Sequence, residues 1–446
     1  MVSLTPKSLN HNSLDSQAFL HTFSQRLLSL TSSNNTSNYR SKRFLVAYSG
    51  GMDSHVLLQL MSDWMKQIDT EISVRAVHVH HGLQEEANSW PEHCQIICDK
   101  LKIPLEIVYL NLTLKSGESL EAVARQGRYQ ALEETLAQDE VLLTAHHQRD
   151  QAETFLLQLF RGAGVQGLAS MPTVTSFAES KKCQHIRPLL SENYQSIKAY
   201  AKDNLLKYIE DPSNNDNSFE RNFLRNQILP QLREHWQGID KTISRSATIQ
   251  SETKLLLDEF AEEIMQGVCE SKQETLSING LLGLSISKRK LLLRYWITQR
   301  GFKVPSEKKL NHIISDVLQA QEDAQPLVAW QGAEIRRFKN QIYCNTPLQE
   351  HDNKQILSWN TKKSLKIESL NLTLSPKILD DLHVQNHPVT VRFRQGGEKL
   401  YSPHKNHSQN LKKVLNEANI APWLRDRIPL IYAGDKLIDI IGLQQK

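Results

Sequence analysis

The stretch Phe44-Leu-Val-Ala-Tyr-Ser-Gly-Gly-Met-Asp-Ser54 decides the architecture. Its apolar run, residues 44–48, predicts a buried parallel strand, and Val56, Leu57, Leu60, Met61 and Trp64 then recur at helical spacing. Ser49, Gly50 and Gly51 therefore fall at a helix N-terminus, with Met52, Asp53 and Ser54 opening the helix. Free backbone N–H groups and the positive end of the helix dipole attract phosphate there, and glycines let an anion approach. No Gly-Lys-Ser/Thr follows to reach a terminal phosphate, which separates this turn from the familiar P-loop. A cradle of this kind suits a departing pyrophosphate while the α-phosphate of ATP is attacked. The plainer alternative is a tight strand-to-helix turn that uses two glycines for geometry alone. The whole Ser-Gly-Gly-x-Asp-Ser set, placed after a strand, favours the nucleotide site.

Outward from this turn, strand and helix patterns alternate. A leading helix spans residues 13–30, and a Ser/Asn-rich connection covers 32–41. Strands are predicted over 73–79, 105–110 and 140–145, and helices over 88–102 and 119–137 and from 148 onward. Such alternation predicts a doubly wound parallel α/β sheet whose ligand lies beyond the carboxyl ends of the strands. The loops after Tyr48, Val79 and Ala145 should then face one cleft. Past residue 190 the sheet pattern fades, and Asp211-Pro-Ser-Asn-Asn-Asp216 is a strong turn cluster. The expected organisation is a catalytic domain over 1–225, a mainly helical middle domain over 226–350, a polar linker over 351–365 and a small α+β domain over 366–446. Within the middle domain, residues 236–320 read as helical.

A chain of 446 residues exceeds one ordinary core, in keeping with several domains. Its net charge of +4 permits an RNA partner without demanding one. Five scattered cysteines fit a reducing cytoplasm better than a disulfide framework, and Cys94 and Cys98 read as core residues rather than zinc ligands. No apolar stretch approaches a membrane span and no basic-then-apolar leader opens the chain, so a cytoplasmic protein is expected. The oligomeric state is left open, a homodimer included.

The second informative stretch is Thr144-Ala-His-His-Gln-Arg-Asp-Gln-Ala-Glu-Thr154. His147, Asp150 and Thr154 share a helix face, and Glu153 lies one turn from Asp150. Carboxylates at the end of a strand suit Mg²⁺ held against ATP phosphates, and Asp53 offers a third acid from the phosphate turn. Acidic residues that merely complement the helix dipole are the alternative. Arg125, Arg128 and Tyr129 form a stripe with Glu121 on the preceding helix, Arg161-Gly-Ala-Gly164 makes a second glycine-rich turn, and Arg221, Asn222 and Arg225 follow the 211–216 turn. Polynucleotide phosphate and surface salt bridging are both open to these residues. His78, His80 and His81 lack further ligands at zinc spacing and read as core or cleft lining.

Taken in order, these segments resemble the tRNA(Ile)-lysidine synthase family, within the N-type ATP pyrophosphatase group. The likeness runs through Tyr48–Ser54, Val77-His-Val-His-His-Gly82, the 121–129 and 145–154 stretches, Arg161–Gly164, Ile186-Arg-Pro-Leu-Leu190 and Ile209-Glu-Asp-Pro-Ser-Asn214. It continues through Arg221-Asn222, Glu334-Ile-Arg-Arg337, Leu411-Lys-Lys-Val414 and Pro422-Trp-Leu-Arg-Asp426. The resemblance implies adenylation of a wobble cytidine in an isoleucine tRNA with anticodon CAU, followed by displacement of AMP by the ε-amine of free L-lysine. It implies ATP at Ser49, Gly50, Gly51, Met52, Asp53 and Ser54, and a catalytic set of Asp53, His147, Asp150 and Glu153, with Mg²⁺ on Asp53 and Asp150. It assigns tRNA contact to Arg125, Arg128, Arg161, Arg221, Asn222 and Arg225, and to Lys412 and Lys413 in the last domain. One departure is plain: many members carry two adjacent aspartates where this chain has Arg149-Asp150, so Arg149 is expected to turn away or to meet phosphate. A tRNA thiolase of the same superfamily is disfavoured by the lack of Cys-x-x-Cys, and an amide-transferring relative by Val2 in place of a cysteine nucleophile. A non-catalytic RNA-binding protein fits poorly with an intact Ser49–Ser54 turn.

Overall fold

The computed structural model describes residues 11–31, 43–67, 72–82, 86–112, 120–178, 183–270, 274–321, 324–382, 388–402 and 407–443. The chain divides into two compact units, Met1–Leu256 and Leu257–Lys446.

The first unit runs α1 (His11–Thr31), β1 (Arg43–Ala47), α2 (Met52–Gln67), β2 (Ser73–His80), α3 (Trp90–Leu101), β3 (Leu105–Tyr109), α4 (Leu120–Thr135), β4 (Val141–Leu143) and α5 (Gln148–Phe160). It continues through α6 (Val165–Leu168), β5 (Val174–Phe177), β6 (Cys183–Ile186), α7 (Tyr194–Asp203), α8 (Glu220–Phe223), α9 (Leu229–His235) and the start of α10 (Ile239–Val268). Among the described residues the strand order is β3-β2-β1-β4-β6-β5. β1 pairs in parallel with both β2 and β4, with Val46 opposite Ala76 on one side and Leu143 on the other. β6 extends the parallel set beside β4, whereas β5 returns antiparallel at the edge.

The alternation of side chains along β1 explains the double layer. Phe44 and Val46 pack with Leu27 of α1, Leu57 and Met61 of α2, Cys94 and Cys98 of α3 and Ile197 of α7. Leu45 points to the other face, with Val77, Leu142, and Leu132 and Leu136 of α4. Leu45 and Val46 are fully buried, and each such side chain contributes about 1.5–3 kcal/mol of transfer free energy. Both faces of β1 are thus covered, which is why the run reads as continuously apolar. From β1 the chain turns to β2 on one side while β4 lies on the other, so the carboxyl ends of β1 and β4 border the crevice where such folds bind ligands.

In the second unit, β7 (Cys269–Glu270), β8 (Thr275–Ser277), α11 (Ile278–Leu282), α12 (Ile286–Gln299) and α13 (Glu307–His312) precede the meander β9 (Leu327–Trp330), β10 (Ala333–Phe338) and β11 (Gln341–Asn345). These strands form an antiparallel sheet ordered β7-β8-β11-β10-β9. Leu292, Leu293, Trp296 and Ile297 of α12 pack with Ile335 and Ile342 of that sheet. The helical reading of 236–320 therefore breaks at β7 and β8. Thr275, Leu276 and Ser277 are all buried because they pair with β11, a partner more than sixty residues downstream that no local pattern announces. The last segment is the expected α+β arrangement: β12 (Leu357–Ser358), β13 (Leu365–Ile367), β14 (Leu372–Leu374), β15 (Val389–Arg392), β16 (Lys399–Ser402), β17 (His407–Asn410), α14 (Leu411–Glu417), α15 (Pro422–Arg425), β18 (Leu430–Ala433) and β19 (Lys436–Ile440). Its main sheet is ordered β12-β15-β18-β19-β16-β17.

Candidate active site

The turn between β1 and α2 is held by its own serines. Ser54 Oγ donates to Gly51 O (2.9 Å), so the 3.0 Å contact between the two hydroxyls takes its proton from Ser49. Ser49 N donates to Ser54 Oγ (3.2 Å), and Gly51 N lies 3.4 Å from Ser49 Oγ. Gly50 adopts φ +85°, a left-handed conformation that favours glycine, and a Cβ there would lie 2.6 Å from Ile209 Cδ1. Its carbonyl accepts from Ile209 N (3.0 Å), which ties the turn to the segment before the 211–216 cluster. The first N–H groups of α2 have no acceptor within the helix, as an anion cradle requires. Cys94 Sγ lies 3.4 Å from His78 Nδ1, and burial pushes the Cys94 thiol up to about 12, so this cysteine serves the core.

Across the crevice, β4 ends and α5 begins in a reciprocal cap. His147 Nδ1 accepts from Arg149 N (3.2 Å), while Asp150 Oδ2 accepts from His147 N (3.0 Å). Acceptance at Nδ1 places the neutral ring's proton on Nε2. That nitrogen lies 3.4 Å from Asp53 Oδ2 and 3.4 Å from Asp150 Oδ2, so one imidazole bridges an acid from α2 and an acid from α5. Burial would depress His147, but the carboxylates of Asp150 and Asp53 outweigh it and hold the ring above its ordinary value.

Behind this bridge stands a lattice of two carboxylates and two guanidiniums. Glu153, fully buried, accepts from Arg221 Nε (2.7 Å), Arg225 Nε (2.7 Å) and Arg225 Nη2 (2.8 Å). Asp150 Oδ1 accepts from Arg221 Nη2 (2.8 Å) and Arg225 Nη2 (3.3 Å). The arginines sit four residues apart where α8 passes into a π-helical turn, Leu224–Ile228. Burial would raise the Asp150 carboxyl, but His147 and Arg221 hold it well below the usual carboxylate range.

The structure thus gathers Ser49, Gly50, Gly51, Met52, Asp53, Ser54, His147, Asp150, Glu153, Arg221 and Arg225 in one region. Arg221 and Arg225, expected at tRNA phosphate, are engaged within the protein by carboxylates, and both Glu153 oxygens are committed to them. Asn222 likewise turns inward, with Nδ2 donating to Ser213 O and Asp216 O to clasp the 211–216 turn. Arg161 pairs with Glu220 at the exposed end of α5 (2.6 Å). Arg125 and Arg128 are exposed on α4, their guanidinium carbons 5.2 and 5.7 Å from the Tyr129 ring centroid. Lys412 and Lys413 are exposed on α14 of the second unit. Arg149 turns to Tyr194, 3.7 Å from its ring centroid, and towards Asp240 (3.8 Å), and Tyr194 in turn packs on His147 at 5.6 Å.

For a divalent cation, no group of three or more His, Cys, Asp or Glu side chains arranged to hold a metal occurs among the described residues. Asp53 nevertheless keeps a buried Oδ1 with no hydrogen-bond partner, facing the same imidazole as Asp150. An orphaned carboxylate oxygen beside a second acid fits Mg²⁺, which takes one or two carboxylates and completes its shell with phosphate oxygens and water. Sequence reasoning assigned nothing to Tyr194, Thr144, His185 or Arg187. The stretch 186–190 was the available signal for Arg187, and Thr144 heads the second motif.

A family model described as a PP-loop domain matches residues 20–232, one described as a TilS substrate binding domain matches 276–343, and one described as a TilS substrate C-terminal domain matches 389–445. Over 406 residues the chain is 42% identical to a tRNA(Ile)-lysidine synthase of Coxiella burnetii, covering 90% of this chain and 89% of the relative. It is 38% identical over 406 residues to that of Photorhabdus laumondii, covering 90% of each. The value is 39% over 422 residues for that of Yersinia pestis, again covering 90% of each.

Proposed function

Because this chain belongs to the tRNA(Ile)-lysidine synthase family, we propose that it joins free L-lysine to C2 of the wobble cytidine of an isoleucine tRNA with anticodon CAU, at the expense of ATP. In the first step the C2 carbonyl oxygen of the cytosine attacks the α-phosphorus, and the bond to pyrophosphate breaks. In the second, the ε-amine of lysine attacks C2, the C–O bond to AMP breaks, and the amine loses a proton.

The observation that carries this reading is the opposition, across the β1–β4 crevice, of a phosphate-cradling turn and an Asp53–His147–Asp150 cluster. The Ser49–Ser54 turn and the N-terminus of α2 hold the departing pyrophosphate through backbone N–H groups. Mg²⁺ on Asp53 and Asp150 would neutralise charge on the phosphates. His147, tied to both acids, keeps them oriented, and the same cluster attracts the lysine ammonium and accepts the proton it must lose. Glu153 acts from behind by fixing Arg221 and Arg225, which in turn fix Asp150. Arg125, Arg128 and Arg161 in the first unit and Lys412 and Lys413 in the second are the exposed cations offered to tRNA phosphate.

The test is incubation with Mg·ATP, labelled lysine and unmodified isoleucine tRNA bearing CAU, measuring label on RNA together with AMP. Label that needs ATP and vanishes when the wobble base is changed supports the reading. AMP without label on RNA would overturn lysine as the nucleophile, and absence of both would overturn the enzyme reading.

A further inference from the structure

Beside the cluster, four side chains form a one-way hydrogen-bond chain. Arg187 Nη2 lies 3.2 Å from His185 Nδ1, His185 Nε2 lies 2.8 Å from Thr144 Oγ1, and Thr144 Oγ1 lies 2.8 Å from His146 Nδ1. His185 and Arg187 stand at the end of β6 and Thr144 and His146 at the end of β4, strands that pair in parallel. A guanidinium only donates, which fixes the direction of the first two links. His185 must accept at Nδ1, so its neutral ring carries the proton on Nε2 and donates to Thr144. The Thr144 hydroxyl has one proton, and among the described residues His146 Nδ1 is the other partner that can accept it, so the proton is satisfied by donation to His146. His146 then accepts at Nδ1 and carries its own proton on Nε2, to which no described residue bonds.

From this geometry we infer that Arg187, His185 and Thr144 act as positioning residues that lock His146 as a neutral Nε2–H donor, aimed at an oxygen of the reacting substrates. The acceptor is a phosphate oxygen or the pyrimidine carbonyl, both of which gain or shift negative charge when the α-phosphate is attacked. The role rests on the adenylation reading above, whereas the tautomer rests on the hydrogen bonds alone. The surroundings favour the neutral ring. Burial lowers His146 to about 3, opposed by Asp150 and reinforced by Arg187, Arg221 and Arg128. His185 is also lowered, by burial first and then by Arg187, His146 and Arg128. Arg187 is anchored in turn through Nη1 on Pro172 O (2.7 Å). A neutral donor keeps its hydrogen bond at any pH at which the enzyme works, and it does not compete with Arg221 for Asp150.

The experiment has two arms on the full chain. Histidine ring ¹⁵N labelling with long-range proton correlation, assigned by His146→Gln, reads the tautomer directly. The expected result is an unprotonated Nδ1 and a protonated Nε2 on His146 throughout the neutral range. A proton on Nδ1, or titration near the ordinary imidazole value, would overturn the inference whatever the activity. The kinetic arm compares Thr144→Val, which keeps the shape and removes the hydroxyl, with Thr144→Ser, which keeps it. Thr144→Val should lower kcat for tRNA-dependent AMP formation by at least about tenfold, with KM for ATP and tRNA changed less than about twofold. Thr144→Ser should restore the rate together with the wild-type ring signals. Equal losses in the two variants would reduce Thr144 to packing and overturn the relay. Should wild-type protein form no AMP with this tRNA, the adenylation reading falls and the ring signals alone decide the tautomer.

Discussion

Glu153→Ala removes the buried acid on which two half-buried cations depend. In the wild-type protein Glu153 accepts three N–H bonds at 2.7, 2.7 and 2.8 Å and is fully buried. Without it, Arg221 and Arg225 fall back on a single oxygen, Asp150 Oδ1, at 2.8 and 3.3 Å. Breaking a buried ion pair by deleting one partner costs about 3–5 kcal/mol. Because Asp150 remains beside both guanidiniums, and these are 24% and 36% exposed and so partly screened by water, the loss falls to the lower end or below, about 2–3 kcal/mol. Glu153→Gln keeps the volume and one acceptor but sets an NH₂ group against a guanidinium N–H, so it should cost about 1–3 kcal/mol. Deleting Arg225 as well removes the stranded charge, so the double variant Glu153→Ala/Arg225→Ala should be less destabilised than the sum of its singles. Urea unfolding with far-UV circular dichroism gives the global loss. Hydrogen exchange over residues 220–229 localises it, which matters because a chain of two compact units need not unfold in one transition. A loss under about 1 kcal/mol for Glu153→Ala, or singles that add within about 0.5 kcal/mol, would refute the lattice as a structural unit.

Gly50→Ala should be destabilising by about 1–3 kcal/mol and should suppress ATP-dependent AMP formation, because φ is +85° and the new Cβ would also meet Ile209. Gly51→Ala, whose Cβ would find its nearest neighbour at 3.5 Å, should melt close to wild type, and thermal melts of the two variants separate backbone strain from a general intolerance of the turn. Asp150→Ala should abolish AMP formation while Arg149→Ala, which loses a stack on Tyr194, should leave most of it; equal losses would overturn that division. The pH dependence has a definite sign. Asp150 is depressed below its ordinary 3.8, so its contribution is whole above that value and is lost as pH falls further. His147 is raised above its ordinary 6.5, so its contribution is whole below 6.5 and fades as pH rises through the folded value. The stability gap between wild type and His147→Gln should therefore narrow from pH about 6 to about 8 in thermal melts, and a widening gap would contradict the assignment.

What the sequence made legible is what is encoded locally. The phosphate turn needs six contiguous residues and one strand, and the doubly wound sheet follows from apolar runs that alternate with helical spacing. His147 and Asp150 lie three positions apart, so their shared helix face was legible although their reciprocal cap was not read. The carboxylate–arginine lattice was not legible, because Glu153 and Arg225 are 72 residues apart and nothing in either local pattern pairs them. Read alone, Arg221 and Arg225 were open both to polynucleotide phosphate and to salt bridging. Only the packing of α8 against α5 turns them inward. The Thr144–His185 contact spans 41 residues, and its direction depends on Arg187. β8 was taken into a helical region because its three residues owe their conformation to β11.

The contact between Gly50 and Ile209 has a genetic corollary. Two separate conditions act on position 50: a left-handed backbone, and the side chain of Ile209 in the space a Cβ would fill. Shortening residue 209 relieves the second and leaves the first, and Cys94 Sγ still stands 3.1 Å from that space. Suppressors of a Gly50 lesion are therefore not to be sought at position 209. Ile209 is held to the turn by its backbone N–H, so a shorter residue there keeps that hydrogen bond while residue 50 stays glycine. The dependence is asymmetric, because position 50 carries a backbone demand that no change at position 209 can meet.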